Sequence, residues 1–286
     1  MSFLFDRACT VTVYPPPSTN YVETRGFAIK VTDLRVRFRI IKTNKAHPNA
    51  AEIQITNLSR DTRSQMQAKG SYVVVEAGYT DTLSQIFAGD VRTIDHVKEG
   101  ADWVTKIRCG DGERAYLNAR VNTSFAGGTA IATVLKSITK AMGINQGNLV
   151  DQIANLSNQY ANGYTASGKA SVELDRVLSS VNLSWSIQDG RLEVLPPLTP
   201  NKNETVTLTP TSGLVGSPEH GTPNKKGKPS VLKAKCLIQP SLKVNGRVFV
   251  SCENTNGTFR ISKVTHDGDT TGGPWYTEIE GLPTSL

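Results

Sequence analysis

The side chains in this sequence best suited to proton transfer near neutrality are four histidines, His47, His96, His220 and His266, and they are dispersed along the chain. None lies in an HExxH pattern, and neither a G-x-S-x-G elbow nor a phosphate-cradling G-x-x-x-x-G-K-[ST] run occurs. Asp90, Asp95 and His96 are close enough in sequence for acid/base work. A strand's period of two puts Asp90 and His96 on one face and Asp95 on the other, so a joint site would need a bulge. His266-Asp267-Gly268-Asp269 carries ligand types for a metal. The same residues also suit a tight hairpin turn, where carboxylate oxygens and glycine satisfy the backbone unaided, and that is the expectation here. Pairs of Asp and Glu could cleave a glycan, but nothing in the spacing singles one pair out. Cys9, Cys109, Cys236 and Cys252 form no CxxC pair and have no histidine at ligand spacing, so buried free thiols are expected rather than disulfides or zinc. No catalytic residue, metal or cofactor is assigned.

The charge pattern is more informative. The chain of 286 residues has a formal net charge of +7, which favours acidic partners without specifying a fold. In Leu34-Arg-Val-Arg-Phe-Arg-Ile-Ile41, alternation sends Leu34, Val36, Phe38 and Ile40 to one face of a strand and Arg35, Arg37 and Arg39 to the other. A second basic group, Lys225, Lys226 and Lys228, sits in a Pro- and Gly-rich stretch from Gly216 to Pro229, followed by Lys233 and Lys235 alternating with apolar residues. Both groups read as solvated surface, as a contact with an acidic protein, or as the lining of a channel. Nucleic-acid binding is less well supported, because no stacking aromatics are interleaved with the cations.

The elements that must position these residues are mostly strands. Residues 1–112 read as short runs around Val11/Val13, Phe27/Ile29/Val31, the arginine strand, Ile53/Ile55, Tyr72 to Ala77, Ile86 to Val91 and Trp103 to Cys109, separated by turns, as in a barrel or sandwich. One helical turn, Ser59 to Gly70, interrupts them, with Ser59 as cap. In residues 113–200 the period changes. Ile131, Val134, Leu135, Ile138 and Met142 mark an amphipathic helix stopped by Gly143, and Val172, Leu174, Val177, Leu178 and Val181 mark a second one. The Asp189-Gly190 pair between Leu183–Ile187 and Arg191–Val194 predicts a hairpin. Asn145 to Lys169, rich in Asn, Gly and Ser, reads as a loop.

Residues 201–286 return to strands, with a turn at Asn245-Gly246 between Leu242/Val244 and Val248/Val250. At the end, Phe259/Ile261 and Trp275/Thr277/Ile279 flank an acidic, glycine-rich turn. The fold class is therefore mainly β with α+β: two β-barrel domains with a small intervening α+β module. No window approaches the roughly 20 apolar residues that span a bilayer. The opening Met-Ser-Phe-Leu-Phe-Asp-Arg does not read as a secretory signal, so synthesis in a cytosol is expected.

Several stretches together resemble the baseplate hub proteins of contractile-tailed bacteriophages, the late-control-D-like tail hub family related to type VI secretion spike barrels. They are Ala51-Glu-Ile-Gln-Ile-Thr-Asn-Leu-Ser-Arg60, Val74-Val-Glu-Ala-Gly-Tyr79, Ile86-Phe-Ala-Gly-Asp-Val91, the Trp185 strand with its Asp-Gly-Arg-Leu hairpin, and Phe259-Arg-Ile261 through Val264-Thr-His-Asp-Gly-Asp-Thr270 to Gly272-Gly-Pro-Trp-Tyr-Thr-Glu-Ile-Glu-Gly281. The resemblance implies two tube-like barrels per chain and a homotrimeric ring joining a six-fold tail tube to a three-fold spike. Implied partners are the tube protein, the spike and other baseplate proteins, with transient contact to DNA in the lumen. The implied location is the virion baseplate, after assembly in the host cytoplasm. Arg35, Arg37, Arg39, Lys225, Lys226 and Lys228 would then lie at an interface or toward the lumen. Two other readings stay open: a basic β-rich nucleic-acid-binding protein and a tail-associated wall-degrading enzyme.

Overall fold

A computed structural model describes residues 6–16, 28–154, 156–202, 204–221 and 230–284. In chain order the first elements are β1 (Arg7–Tyr14), β2 (Ile29–Val31), β3 (Val36–Thr43), β4 (Ala50–Thr56), α1 (Arg60–Gln65), β5 (Tyr72–Tyr79), β6 (Ser84–Glu99) and β7 (Asp102–Gly110). Then come α2 (Glu113–Asn118), β8 (Arg120–Phe125), β9 (Thr129–Ala130), α3 (Ile131–Met142), α4 (Leu149–Ile153), β10 (Gln159–Tyr160), β11 (Tyr164–Lys169), α5 (Ala170–Ser180), β12 (Ser184–Gln188) and β13 (Arg191–Leu195). The last are β14 (Val206–Leu208), β15 (Leu214–His220), β16 (Leu232–Leu237), β17 (Arg247–Cys252), β18 (Thr255–Asp269) and β19 (Trp275–Pro283). The chain is mainly β, and it divides into two compact units, one of residues 1–43, 50–110 and 200–286 and one of residues 44–49 and 111–199.

The larger unit is built on one 13-stranded sheet, ordered β15-β16-β19-β18-β3-β4-β7-β6-β5-β1-β2, with β17 joined to β18 and β14 to β17. Strands from the two ends of the sequence meet where β18 pairs with β3, from Lys263 opposite Thr43 to Asp269 opposite Arg37. Alternate residues such as Val11, Ile40, Ile53, Val75 and Ile107 are fully buried, yet α1 buries nothing. Among the described residues of this unit no helix buries side chains against that face, and the sheet itself curls around its apolar side. It does so around two separate cores, one lined by β1–β7 and the other by Leu208, Leu232, Val248, Val250, Ile261 and Ile279 among others.

Three strands pass through both cores. Phe259, Ile261 and Val264 of β18 lie in the second core, while farther along the same strand Gly268 lies directly beneath the ring of Phe38 in the first. Ile279 of β19 is in the second and Trp275 in the first, and β16 runs from Leu232, Ala234 and Cys236 in the second toward Leu237 and Ile238 at the first. Phe38 and Trp275 meet edge to face at 5.6 Å, and Arg7 lies 5.6 Å over Trp275 while donating to the Asp269 carbonyl at 2.9 Å. These contacts bring β1 against the β18–β19 corner.

The smaller unit packs α3 and α5 against the β12–β13 hairpin and the β8–β11 pair. The expected helix from Ile131 to Met142 forms, and Gly143 ends it with φ 64°. Asp189 and Gly190 have φ of 54° and 76°, the left-handed pair that a two-residue turn between twisted strands requires. The turn is held from below by Asp111, wholly buried, whose carboxylate accepts from the Asp189 and Gly190 amides at 2.6 and 2.7 Å and from Asn49 Nδ2 at 3.3 Å.

The structure corrects several expectations. Asn145 to Lys169 is not a loop, since it contains α4, β10 and β11, and β11 gains its strand by pairing with β8. Val172 is exposed, because α5 turns Ala170, Leu174, Val177 and Leu178 inward instead. Asn245-Gly246 does not join two strands: Leu242 and Val244 are buried in irregular chain, and β17 pairs with β18 and β14. His266 to Asp269 belong to β18 itself, and the turn is Thr270 to Pro274. The helix after Ser59 stops at Gln65, well before Gly70. Gly216 to His220 lie in β15, and residues 222–229 lie outside the described residues, as do Phe27 and residues 17–20. The four cysteines are free, three of them buried and Cys252 half-buried.

Candidate functional site

The arginine strand finds its acidic partners within the chain. Asp269 Oδ1 and Oδ2 accept from Arg35 Nε and Nη2 at 3.1 and 2.6 Å, a two-pronged pair that fixes the start of β3 to the end of β18. Burial would raise the Asp269 carboxyl, but the Arg35 hydrogen bond, the Thr271 amide and the Arg35 charge outweigh it and hold it below the ordinary carboxylate range. Arg39 meets Asp267 at 3.3 Å in a more open pair. Arg37 stands opposite Asp269 on one side and Gln54 on the other, and its Nε is buried without a hydrogen bond among the described residues.

These residues belong to a much wider charged face, the outer side of the sheet. Across β18, β3, β4 and β7 one row reads Asp267, Arg39, Glu52, Arg108, and the next reads Asp269, Arg37, Gln54, Lys106, with Asp95 beyond on β6. In the other direction Glu278 of β19 lies between Thr265 and Lys235, and Glu280 lies between Lys263 and Lys233. The sign thus changes from strand to strand. Ion pairs follow the stripes: Arg108 to Glu52 at 3.8 Å, Lys106 to Glu99 at 2.6 Å, Lys235 to Glu278 at 3.4 Å and Lys263 to Glu280 at 2.9 Å. Two open depressions lie on this face, about 230 Å³ around Arg37 and Asp267 and about 370 Å³ beside the irregular part of β15. Lys233 and Lys235 therefore sit as alternation predicts, whereas Lys225, Lys226 and Lys228 lie outside the described residues.

The chemical constellations suggested by sequence are not assembled. A bulge between Val91 and Thr93 exists in β6, but it turns Asp95 to the side of Asp90 and leaves His96 on the other. His96 Nδ1 is 3.0 Å from Thr105 Oγ1, and burial with the nearby Arg63 charge lowers its pKa. His266 points inward, fully buried, with Nδ1 2.9 Å from Thr277 Oγ1, while Asp267 points outward. Burial, reinforced by the Lys42 charge, lowers the His266 pKa to about 3, so the ring is neutral at any ordinary pH. Among the described residues no group of three His, Cys, Asp or Glu side chains is placed to hold a metal. Burial pushes the Cys9 and Cys236 thiols up to about 12, which leaves them as core-filling groups rather than nucleophiles.

Sequence and fold comparisons agree with this picture of a β scaffold. The family model described as baseplate hub gp41 matches residues 21–281. The chain belongs to the baseplate hub gp41 family. A search of curated proteins finds no match. Among solved structures, this hub-family chain is similar to the 43 kDa tail protein of prophage MuSo2 from Shewanella oneidensis, at 9% identity and TM-score 0.67 over 97% of this chain and 98% of that one. It is similar also to a tail protein from Neisseria meningitidis MC58, at 11% identity and TM-score 0.63 over 97% of each. A third is the E. coli c3393 protein, a type VI secretion component described as similar to T4 tail proteins gp27 and gp5, at 11% identity and TM-score 0.57 over 88% of this chain and 73% of that one. At these identities the likeness to solved structures is one of fold. Among the described residues no helix of this family member is long and apolar enough to cross a membrane.

Proposed function

We propose that this chain is a structural component of a contractile tail baseplate: three copies form a ring that joins a six-fold tail tube to a three-fold spike. The observation that carries the proposal is the pair of sheet-wrapped cores threaded by β16, β18 and β19 in a chain of the baseplate hub gp41 family. Two such cores in each of three copies give six similar units around one axis, which is the arithmetic a junction between six-fold and three-fold partners needs. The role is mechanical. The hub holds the spike, closes the end of the tube and anchors neighbouring baseplate proteins until contraction. Partners are therefore the tube protein, the spike and other baseplate proteins, and the protein acts in the virion after assembly in the host cytoplasm.

Lys225, Lys226 and Lys228 supply a basic contact for the spike or an adjacent baseplate protein, and their joint replacement by Ser should weaken co-purification with that partner. The striped sheet face disfavours the nucleic-acid reading, since the arginines are matched by Asp267, Asp269 and Glu52 rather than gathered into a cationic patch. Electron microscopy of nuclease-treated protein, alone and co-expressed with its genomic neighbours, tests the reading. A three-fold ring with a central channel is expected, and monomers under both conditions would overturn it.

A further inference from the structure

In a ring, the striped face with Arg37, Arg39 and their neighbours would either pack against another subunit or face the central passage. A buried protein–protein interface is depleted in charge at its centre, because each ion taken from water costs more than an average pair returns. Here exposed charges run across the face from β19 to β7: Arg39 and Arg108 leave about three fifths of their side chains exposed, and Glu52 and Glu278 about half. Each of these charges already has a partner of opposite sign within 4 Å, so a docking subunit would gain little attraction and would have to strip the water from all of them. A polyanion fares no better. Affinity for DNA comes from cations that displace condensed counterions, and every basic stripe on this face is flanked by an acidic one one strand away, well inside a Debye length of about 8 Å.

We propose that this face lines the central passage and that its function is to let DNA move past without being held. The proposal rests on the ring reading of the previous section. Strand-to-strand sign alternation keeps the wall hydrated, which repels apolar contact. It also cancels the field a few ångströms above the surface, which denies the phosphate backbone a place to settle. The acidic stripes are thus the functional element: Glu52, Glu278 and Glu280 neutralise the cations that β7, β16 and β18 would otherwise present.

Two measurements test this. In the first, Gln54, on the central row between Arg37 and Lys106, is changed to Cys in a Cys252→Ser background, the other three thiols being buried. In the assembled ring a small maleimide should label Gln54→Cys, while a maleimide on a polymer several nanometres wide should not, although it labels the dissociated subunit. Labelling of the ring by both reagents would put the face outside, labelling by neither would make it an interface, and each result overturns the proposal. In the second, binding of a short duplex DNA is followed by fluorescence anisotropy for the wild type, for Glu278→Gln, and for the triple variant Glu52→Gln/Glu278→Gln/Glu280→Gln. The triple variant should bind roughly tenfold or more tightly than wild type and with a steeper salt dependence, by up to about 3 in the log–log slope, with Glu278→Gln in between. Equal binding by all three, or tight salt-sensitive binding by the wild type, would overturn it. If no ring forms, the ring reading fails separately, and the anisotropy series still decides whether the face holds DNA.

Discussion

At the scale of single residues, two acidic side chains two positions apart have different worth. Asp269 has only 7% of its side chain exposed and accepts two hydrogen bonds from Arg35 as well as the Thr271 amide, whereas Asp267 meets Arg39 in an open pair. Asp269→Asn should therefore cost about 1.5–3 kcal/mol in urea denaturation, the range for hydrogen bonds to a charged group, while Asp267→Asn stays within about 0.5 kcal/mol. Since the Asp269 carboxyl is held below its ordinary value, its contribution is present at neutral pH and is lost as pH falls below about 4. His266 acts over a higher window. Its folded pKa of about 3 lies under the 6.5 of an unperturbed ring, so the unfolded chain takes up a proton that the fold refuses. Stability should fall by about 1.4 kcal/mol for each pH unit between pH 6.5 and the neighbourhood of 3, and His266→Gln should flatten that slope by the same amount. An unchanged slope in the variant would mean that another group governs acid sensitivity.

Among the elements, the β12–β13 hairpin shows best how one buried group can hold a module together. Asp111 satisfies two turn amides and the Asn49 amide in a site with no access to water, and Asn49 in turn donates to the Ile187 carbonyl at 2.9 Å. Asp111→Ala removes the acceptor of both turn amides and should destabilise the smaller unit by about 2–3 kcal/mol or more. Hydrogen exchange would show it as lost protection in β12, β13 and α3 with β3 and β4 unchanged; retained protection in the hairpin would refute it. The hairpin and α3 were legible in sequence because their signals are local, an Asp-Gly pair and a 3.6-residue period. β10 and β11 were not, because Gly, Asn and Ser carry no period and β11 becomes a strand only against β8, forty-odd residues earlier. The same limit applies to the charged face. Alternation showed that Arg35, Arg37 and Arg39 share one side, but Arg35 and Asp269 are 234 positions apart, so nothing local reveals that Arg35 is paired within the chain. His266 to Asp269 read as a turn because polar residues around glycine usually are one. Here the histidine is inside, its Nδ1 beside Thr277, and the glycine leaves room for Phe38.

For the whole molecule the deciding feature is that the two cores of the larger unit are not independent. Strand β18 contributes Ile261 and Val264 to one and lies under Phe38 in the other, and its ladders with β3 and β19 continue across the junction. The proposed role at a junction between tube and spike would need this property, because two cores joined only by a linker would yield one at a time. The critical contact is at Gly268, where an added Cβ would overlap the Phe38 ring, itself packed edge to face on Trp275. Gly268→Ala should thus cost about 1–3 kcal/mol through overpacking, and the loss should be partly recovered by Phe38→Leu in the same chain. Because the cores share β18, the destabilisation should appear in both. Mass-mapped alkylation across a denaturant series should show Cys109, in the first core, and Cys236, in the second, becoming reactive at one midpoint in the wild type. That midpoint should move for both thiols together in Gly268→Ala. If Cys109 alone becomes reactive earlier while Cys236 keeps its wild-type midpoint, the cores unfold separately, and the continuous sheet would be a covering rather than the element that carries force from one half to the other.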